Sequence, residues 1–433
     1  MYRKTTLTNG IRVVTLSMPH VRSIAMGIMV DAGPRNEDRE QGGLAHLVEH
    51  ILFQGTSDRN ATQIAQLIDV AGGQMGAFTA RDYTCFTAMV LDEHQTYALD
   101  LLGDMLLNSI LPAESIETEK EAILREIDGV RDNPEERAHA LLKAAAWRNH
   151  PLGNPVAGRR DTLKALTRED AIYFVHKHYL PDAMIVAAAG NLLHEDFVAQ
   201  VLDAFWRMLG QNQPAICEPP AFHGGVTIEY LPVSQTYFSL GMRALPYAHP
   251  DRYALHILNN LLGGGVSSRL FSSLRKEKGL VYEIRSEYHA YRDAGILVIE
   301  GSTVPENLVE VLGTVLAELK SLVSGGEAPG EEELLKAKMQ VRGQHLISAE
   351  NTSTQMTRLA SQEFYFGRHI PTEEILAEIN AVDSPTLKRV ADEVLAEEFR
   401  RLRVAVVGPE APQHYSPSLI QELLATLELP LPS

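Results

Sequence analysis

The chain has 433 residues, enough for two or three domains at about 100–200 residues each. Hydrophobic residues make up 45% and charged residues 22%, which excludes a disordered, collagen-like or coiled-coil chain. Fifty-six acidic against 39 basic residues disfavour nucleic acid as a partner, because its phosphates need a basic face, and no run of about 18 apolar residues predicts a membrane-spanning helix.

The N-terminal MYRKTTLTNGIRVVTLSMPH (1–20) predicts two strands joined by a turn at Asn9-Gly10. It lacks the apolar core and small-residue cleavage site of a signal peptide, so a cytoplasmic location without a membrane partner is expected. The two cysteines, Cys85 and Cys217, are then expected as reduced thiols, and neither lies in a CxxC that would ligate metal. SIAMGIMVDAG (23–33) predicts a strand and GGLAHLVEHILFQGT (42–56) a helix. ATQIAQLIDVAGGQMGAFTARDYTCFTAMVL (61–91) predicts a helix, a glycine turn and one long strand; DEHQTYALDLLGDMLLNSIL (92–111) predicts another helix. ESIETEKEAILREIDGVRDNPEERAHALLKAAAW (114–147) reads as one long amphipathic helix, and AMIVAAAGN (183–191) as an apolar strand.

The second half repeats this order. QTYFSLGMRAL (235–245) is the strand, PDRYALHILNNLLGGG (250–265) the helix, 267–301 a helix, turn and two strands, VPENLVEVLGTVLAELKSLV (304–323) a helix, and RLRVAVVGP (401–409) the closing strand. LAHLVEHILFQG (44–55) aligns on YALHILNNLLGG (253–264). Between the halves, NQPAICEPPAFHGG (212–225) carries proline and glycine without helical periodicity. The expected domains are therefore 1–211 and 226–433, with a linker at 212–225. Strands alternating with long helices, with polar residues at alternate strand positions, predict an α+β class: two homologous domains, each an antiparallel sheet with helices on one face.

His46-Leu47-Val48-Glu49-His50 is the sharpest local signal. On a helix, positions i and i+4 share a face, with Cβ atoms about 5–6 Å apart, so His46 and His50 can bind one metal ion. Glu49 lies on the same side and can reach a water there. Two imidazoles with a carboxylate third ligand suit Zn²⁺, with the remaining position left for water, and H-x-x-E-H is a catalytic zinc motif. Leu44, Ala45, Leu47, Val48, Ile51, Leu52 and Phe53 make this helix apolar nearly all round, so its polar residues are expected to be buried and to need partners. A third ligand must come from elsewhere. Glu119 and Glu126, seven residues apart, share a face of the long acidic helix, beside an apolar stripe of Ile116, Ile123, Ile127 and Val130; spacing alone does not choose between its glutamates.

HLVEH, followed 76 residues after His50 by Glu126, with Glu119 seven residues before that, resembles the inverted-motif zinc peptidases of the pitrilysin and insulinase type. AGPRNED (32–38), FQGT (53–56) and HPLGNPVAG (150–158) match as well, and the likeness extends over essentially the whole chain, in the short two-domain form found in mitochondrial processing peptidase. The resemblance implies one zinc per chain held by His46, His50 and Glu126, with Glu49 as general base and Glu119 as a carboxylate orienting the ligands. It implies that Arg275 and Tyr282, seven residues apart in LRKEKGLVYEI, reach the substrate near the zinc. It also implies that the strand Gly76, Ala77, Phe78 and Thr79 pairs with the peptide backbone; the family often has asparagine where Gly76 stands, which bears on substrate preference. In the second half His46, Glu49 and His50 correspond to Leu255, Leu258 and Asn259, so no second zinc is expected there.

The function implied is a zinc metalloendopeptidase, hydrolysing peptides or unfolded segments inside a closed chamber. Four homologous domains enclose that chamber in the family, so two chains are expected to pair as a homodimer, with a heterodimer containing a zinc-less homologue as the alternative. The rival reading is a non-catalytic family subunit; the intact HxxEH motif and both glutamates weigh against it.

Overall fold

The computed structural model describes residues 1–70, 72–211, 218–323, 329–396 and 399–425. Its contacts form two compact units. One comprises Met1–Asp128, Asn154–Cys217 and Leu346–Ile370; the other comprises Gly129–Gly153, Glu218–His345 and Pro371–Ser433. The cut expected at 212–225 separates the strands of the two sheets but does not follow these units, because each unit takes a helix from the other half of the chain. Residues 212–217 of that segment lie outside the described residues.

In the first unit, β1 (Tyr2–Thr6), β2 (Arg12–Ser17), β3 (Ser23–Val30), β4 (Gln74–Thr79), β5 (Thr84–Leu91) and β6 (Met184–Gly190) form one sheet in the order β1-β2-β6-β3-β5-β4. β1 and β2 are the expected hairpin; Gly10 at its turn has φ +103°, a left-handed conformation that glycine adopts without a Cβ penalty. All neighbouring strands are antiparallel except β2 and β6. In the second unit, β7 (Gly225–Tyr230), β8 (Thr236–Ala244), β9 (Ile284–Ala290), β10 (Gly295–Thr303) and β11 (Arg403–Gly408) are ordered β7-β11-β8-β10-β9, with β7 and β11 parallel. The α+β class and the two homologous sheets are as expected, but each sheet is mixed rather than wholly antiparallel. A parallel pair needs a long crossover: β6 returns beside β2 in the first sheet and β11 beside β7 in the second, each after intervening helices.

The single strand expected at the end of 61–91 is instead a hairpin. β4 pairs with β5, Thr79 stands opposite Thr84, and the Ala80 N–H closes the turn on the Tyr83 carbonyl at 2.8 Å. Asp82 holds this turn: its buried carboxylate accepts hydrogen bonds of 3.0 Å from both the Arg35 guanidinium and the Tyr365 hydroxyl. The fold-back changes which residues share a face. Thr79 lies on the side of Thr84 and Phe86, not on that of Cys85 as an unbroken strand requires.

On one face of the first sheet, Ile24, Met26, Ile28 and Val30 pack with Leu44, Leu47, Val48 and Ile51 of the helix Leu44–Leu52. On the other, Ala25, Met29 and Cys85 pack with Met356, Leu359 and Ala360 of the helix Thr352–Phe366, which comes from the second half. A Cβ at Gly27 would sit 2.4 Å from the Met356 sulfur, so a larger residue there would have to displace the Met356 side chain. The second unit shows the reciprocal arrangement. The helix Pro134–Ala146, from the first half, packs Leu142 and Ala146 against Ile296, Val298 and Ala405, and a Cβ at Gly241 would meet Leu142 at 2.9 Å.

That exchange depends on a break in the helix expected to be continuous over 114–147. The chain runs as Ala113–Asp132 and then Pro134–Ala146. Pro134 lacks an N–H and disfavours helical geometry at the preceding residue. Asn133 takes up the new N-terminus, its Oδ1 accepting from the N–H groups of Glu135 at 3.1 Å and Glu136 at 3.4 Å. Ile116 and Ile123 of the expected stripe are buried, whereas Val130 is 36% exposed. Among the described residues no helix is long and apolar enough to cross a membrane. Cys85 is a buried free thiol, and Cys217 lies outside the described residues.

Candidate metal centre

The helix Leu44–Leu52 begins at Gly42-Gly43, with Gly43 in the left-handed region at φ +97° and no side chain capping it. Its first N–H groups still need an acceptor. Glu37, 6% exposed, supplies one: its two carboxylate oxygens accept from the N–H of Gly43 at 3.0 Å and of Ala45 at 2.8 Å. Burial pushes this carboxyl up, to about 8, while the N–H groups of Ala45, Gly43 and Leu44 pull the other way. Sequence reasoning missed this role for Glu37, although AGPRNED matches the family. The available signal is a helix that opens on two glycines without a local cap and therefore needs a distant one.

On this helix the His46 and His50 rings meet edge to face, with centroids 4.6 Å apart. Glu126 reaches them from the helix Ala113–Asp132, whose Ile116 and Ile123 are buried and whose Lys120 ammonium bonds the Lys164 carbonyl at 3.4 Å. The Glu126 carboxylate lies 3.7 Å from Nε2 of His46 through one oxygen and 3.7 Å from Nε2 of His50 through the other. These distances are too long for hydrogen bonds and close to the roughly 3.3 Å between two ligands of one tetrahedral zinc. The donor atoms of His46, His50 and Glu126 all lie within 4.8 Å of one another, and among the described residues no other group of three could hold a metal ion.

The protonation states suit ligation. Burial, followed by the neighbouring charge of His50, pushes His46 down to about 4, which leaves it neutral near pH 7. His50 Nδ1 is 2.9 Å from Glu119 Oε2, so Nδ1–H donates to the Glu119 carboxylate, and Nε2 faces Glu126. This is the arrangement by which a carboxylate fixes the tautomer of a ligating histidine. His46 Nδ1, by contrast, is buried with no hydrogen-bond partner among the described residues. Glu119 should therefore carry most of the orienting effect: Glu119→Ala is expected to weaken zinc binding about 10–100-fold, read by competition with a chelating dye. Unchanged affinity would assign Glu119 to the helix surface alone.

Glu49 is buried on the same helix, and Thr79 donates its hydroxyl proton to Glu49 Oε2 at 2.5 Å. Burial raises the carboxyl, while the Thr79 hydroxyl, the His50 charge and the Thr79 backbone N–H lower it and Glu126 raises it further. Gly76, Ala77, Phe78 and Thr79 lie in β4, the last strand of its sheet. A Cβ at Gly76 would meet nothing within 4 Å, so glycine is not demanded there by packing. The family resemblance implies a backbone contact with substrate at Thr79, but its side-chain bond to Glu49 is missed, because β4 and β5 read as one strand.

Arg275 and Tyr282 belong to the second unit and lie together: the guanidinium stands 4.7 Å from the Tyr282 ring, which is 75% exposed, and 5.4 Å from that of Phe271. In the helix Arg252–Gly263, Leu255 and Leu258 are buried where the first half has His46 and Glu49.

Comparison with known proteins identifies the family. Residues 12–160 match the family described as insulinase (peptidase family M16), and residues 165–341 match the peptidase M16 inactive domain. The uncharacterized zinc protease YmxG of Bacillus subtilis is 35% identical over 409 residues, 94% of this chain and 98% of its own length. An uncharacterized zinc protease of Mycobacterium tuberculosis is 35% identical over 428 residues, 98% of this chain and 96% of its own. Among solved structures, a peptidase M16 inactive domain from Pseudomonas fluorescens has a TM-score of 0.86 at 22% identity, covering 95% of this chain and 98% of that one. A protease from Helicobacter pylori has a TM-score of 0.86 at 20% identity, covering 94% and 99%. With about a third of its residues identical to zinc proteases along nearly their whole length, the chain belongs to peptidase family M16, the insulinase family.

Proposed function

We propose that this protein is a zinc-dependent endopeptidase acting on peptides or unfolded polypeptide segments. The observation that carries the reading is the placement of Glu49: a buried carboxylate beside His46, His50 and Glu126, on the same helix as the two histidines. His46, His50 and Glu126 hold one zinc per chain, and Glu119 orients His50. Zinc, when bound, supplies a Lewis acid that acidifies a water and polarises the scissile carbonyl. Glu49 accepts a proton from the attacking water and returns it to the leaving amine. Oxyanion stabilisation is assigned to Tyr282 and Arg275 on the family resemblance. The unpaired edge of β4 takes the substrate as an added strand, through backbone groups from Gly76 to Thr79. A second copy of the chain completes an enclosing chamber as a homodimer; a heterodimer with a zinc-less homologue is the other assembly to be tested.

The test is digestion of an unstructured peptide library by the isolated protein, with and without chelator. Internal cleavage that stops on chelation and returns with zinc supports the reading. No cleavage by zinc-replete protein would leave a binding or regulatory subunit as the better description.

A further inference from the structure

Thr79 ends β4 on the face turned towards the helix Leu44–Leu52; Met75 and Ala77, four and two positions before it, pack against the same core. Its hydroxyl is 2.5 Å from Glu49 Oε2 and 3.4 Å from the hydroxyl of Thr84, its cross-strand partner. A hydroxyl has one proton to give. Thr84 gives its own to the Ala32 carbonyl at 2.8 Å, so it has none for Thr79. The Thr79 proton goes to the carboxylate, at the shorter distance and to the charged acceptor. Oε2 of Glu49 is therefore engaged by the Thr79 hydroxyl; the Thr79 backbone N–H also favours the carboxylate, and among the described residues no other residue's side chain is seen to donate to it.

We propose that Thr79 is a positioning residue for the base: its hydroxyl selects Oε1 as the oxygen that carries the shuttled proton. This rests on the reading of Glu49 as the base. An O–H bond of the attacking water breaks as Oε1–H forms; Oε1–H then breaks as the leaving nitrogen gains N–H and the peptide C–N bond opens. The Thr79 O–H stays intact throughout and Oε2 never takes the proton. A proton on Oε2 would face a donor rather than an acceptor and would be turned away from the substrate. Because Thr79 also ends the edge strand on which a peptide is proposed to add, one residue registers both the base and the substrate.

The bland alternative is a structural tie between β4 and the helix, and the test separates the two. Zinc-loaded Thr79→Val, which keeps the shape and loses the hydroxyl, should lower kcat about 10–100-fold, the effect of one hydrogen bond to a charged group, with KM changed by less than about twofold and zinc content unchanged. Thr79→Ser should recover kcat to within about threefold of wild type, since the O–H is restored. In a Glu49→Gln background, Thr79→Val should change the residual rate by less than about twofold, because no base is left to position. Crystal structures of the variants give a readout apart from turnover: the Glu49 carboxylate should leave its single orientation in Thr79→Val and keep it in Thr79→Ser. Wild-type kcat in Thr79→Val, an equal loss in the Glu49→Gln background, or an unmoved Glu49 carboxylate in Thr79→Val would each overturn the proposal. Absence of hydrolysis by the wild-type protein would instead overturn the peptidase reading, and the crystal structures would still report whether Thr79 sets the carboxylate.

Discussion

Glu49→Gln is expected to keep its zinc and lose turnover by about 10²–10⁴-fold. The substitution preserves volume on a helix whose Leu47, Val48, Ile51 and Leu52 are buried, so the fold has little reason to change. The carbonyl oxygen of the substituted amide can still accept the Thr79 hydroxyl, which turns the NH₂ group outward to where a proton acceptor is needed. An amide cannot take a proton from water at neutral pH. Metal content should stay near one zinc per chain, because His46, His50 and Glu126 are untouched. The measurement pairs elemental analysis with hydrolysis of a quenched peptide. Wild-type turnover at normal zinc content would remove Glu49 from the mechanism.

His50→Ala should lose most of the metal, and with it both activity and the stabilisation that metal confers. The substitution deletes one of three ligands and leaves Glu119, which in the wild type faces Nδ1 at 2.9 Å, without its partner. A ligand at 1,000 times its dissociation constant stabilises the folded state by about 4 kcal/mol. Adding chelator should accordingly lower the unfolding midpoint of the wild type but leave that of His50→Ala where it is. Two zincs per chain in the wild type, or full retention in the variant, would remove the proposed centre.

The parts of this site that depend on local geometry are legible in the amino-acid sequence. The i, i+4 spacing of His46 and His50 places them on one helix face wherever the helix sits, and the apolar residues around them require burial. Glu119 and Glu126 share a face for the same reason, but spacing does not choose them among the acidic residues of their helix; the family resemblance does. The repeated order of strands and helices likewise announces two homologous sheets.

Tertiary structure decided what depends on residues far apart in the chain. Alternation in 74–91 runs on through the turn, so the β4–β5 hairpin stays hidden until Arg35 and Tyr365 are seen to hold Asp82, and with it the bond from Thr79 to Glu49. Helical periodicity likewise runs through Asn133-Pro134, although that proline is a local warning of the break. Glycine at positions 27 and 241 reads as a weakness in a strand; only the approach of Met356 and Leu142 explains it, because each helix comes from the opposite half. Glu37 looks like one more surface acid until it meets the N–H groups of Gly43 and Ala45. Short-range periodicity follows from backbone geometry and is written locally, whereas the partner of a buried polar group is chosen by the path of the whole chain, which no window of residues contains.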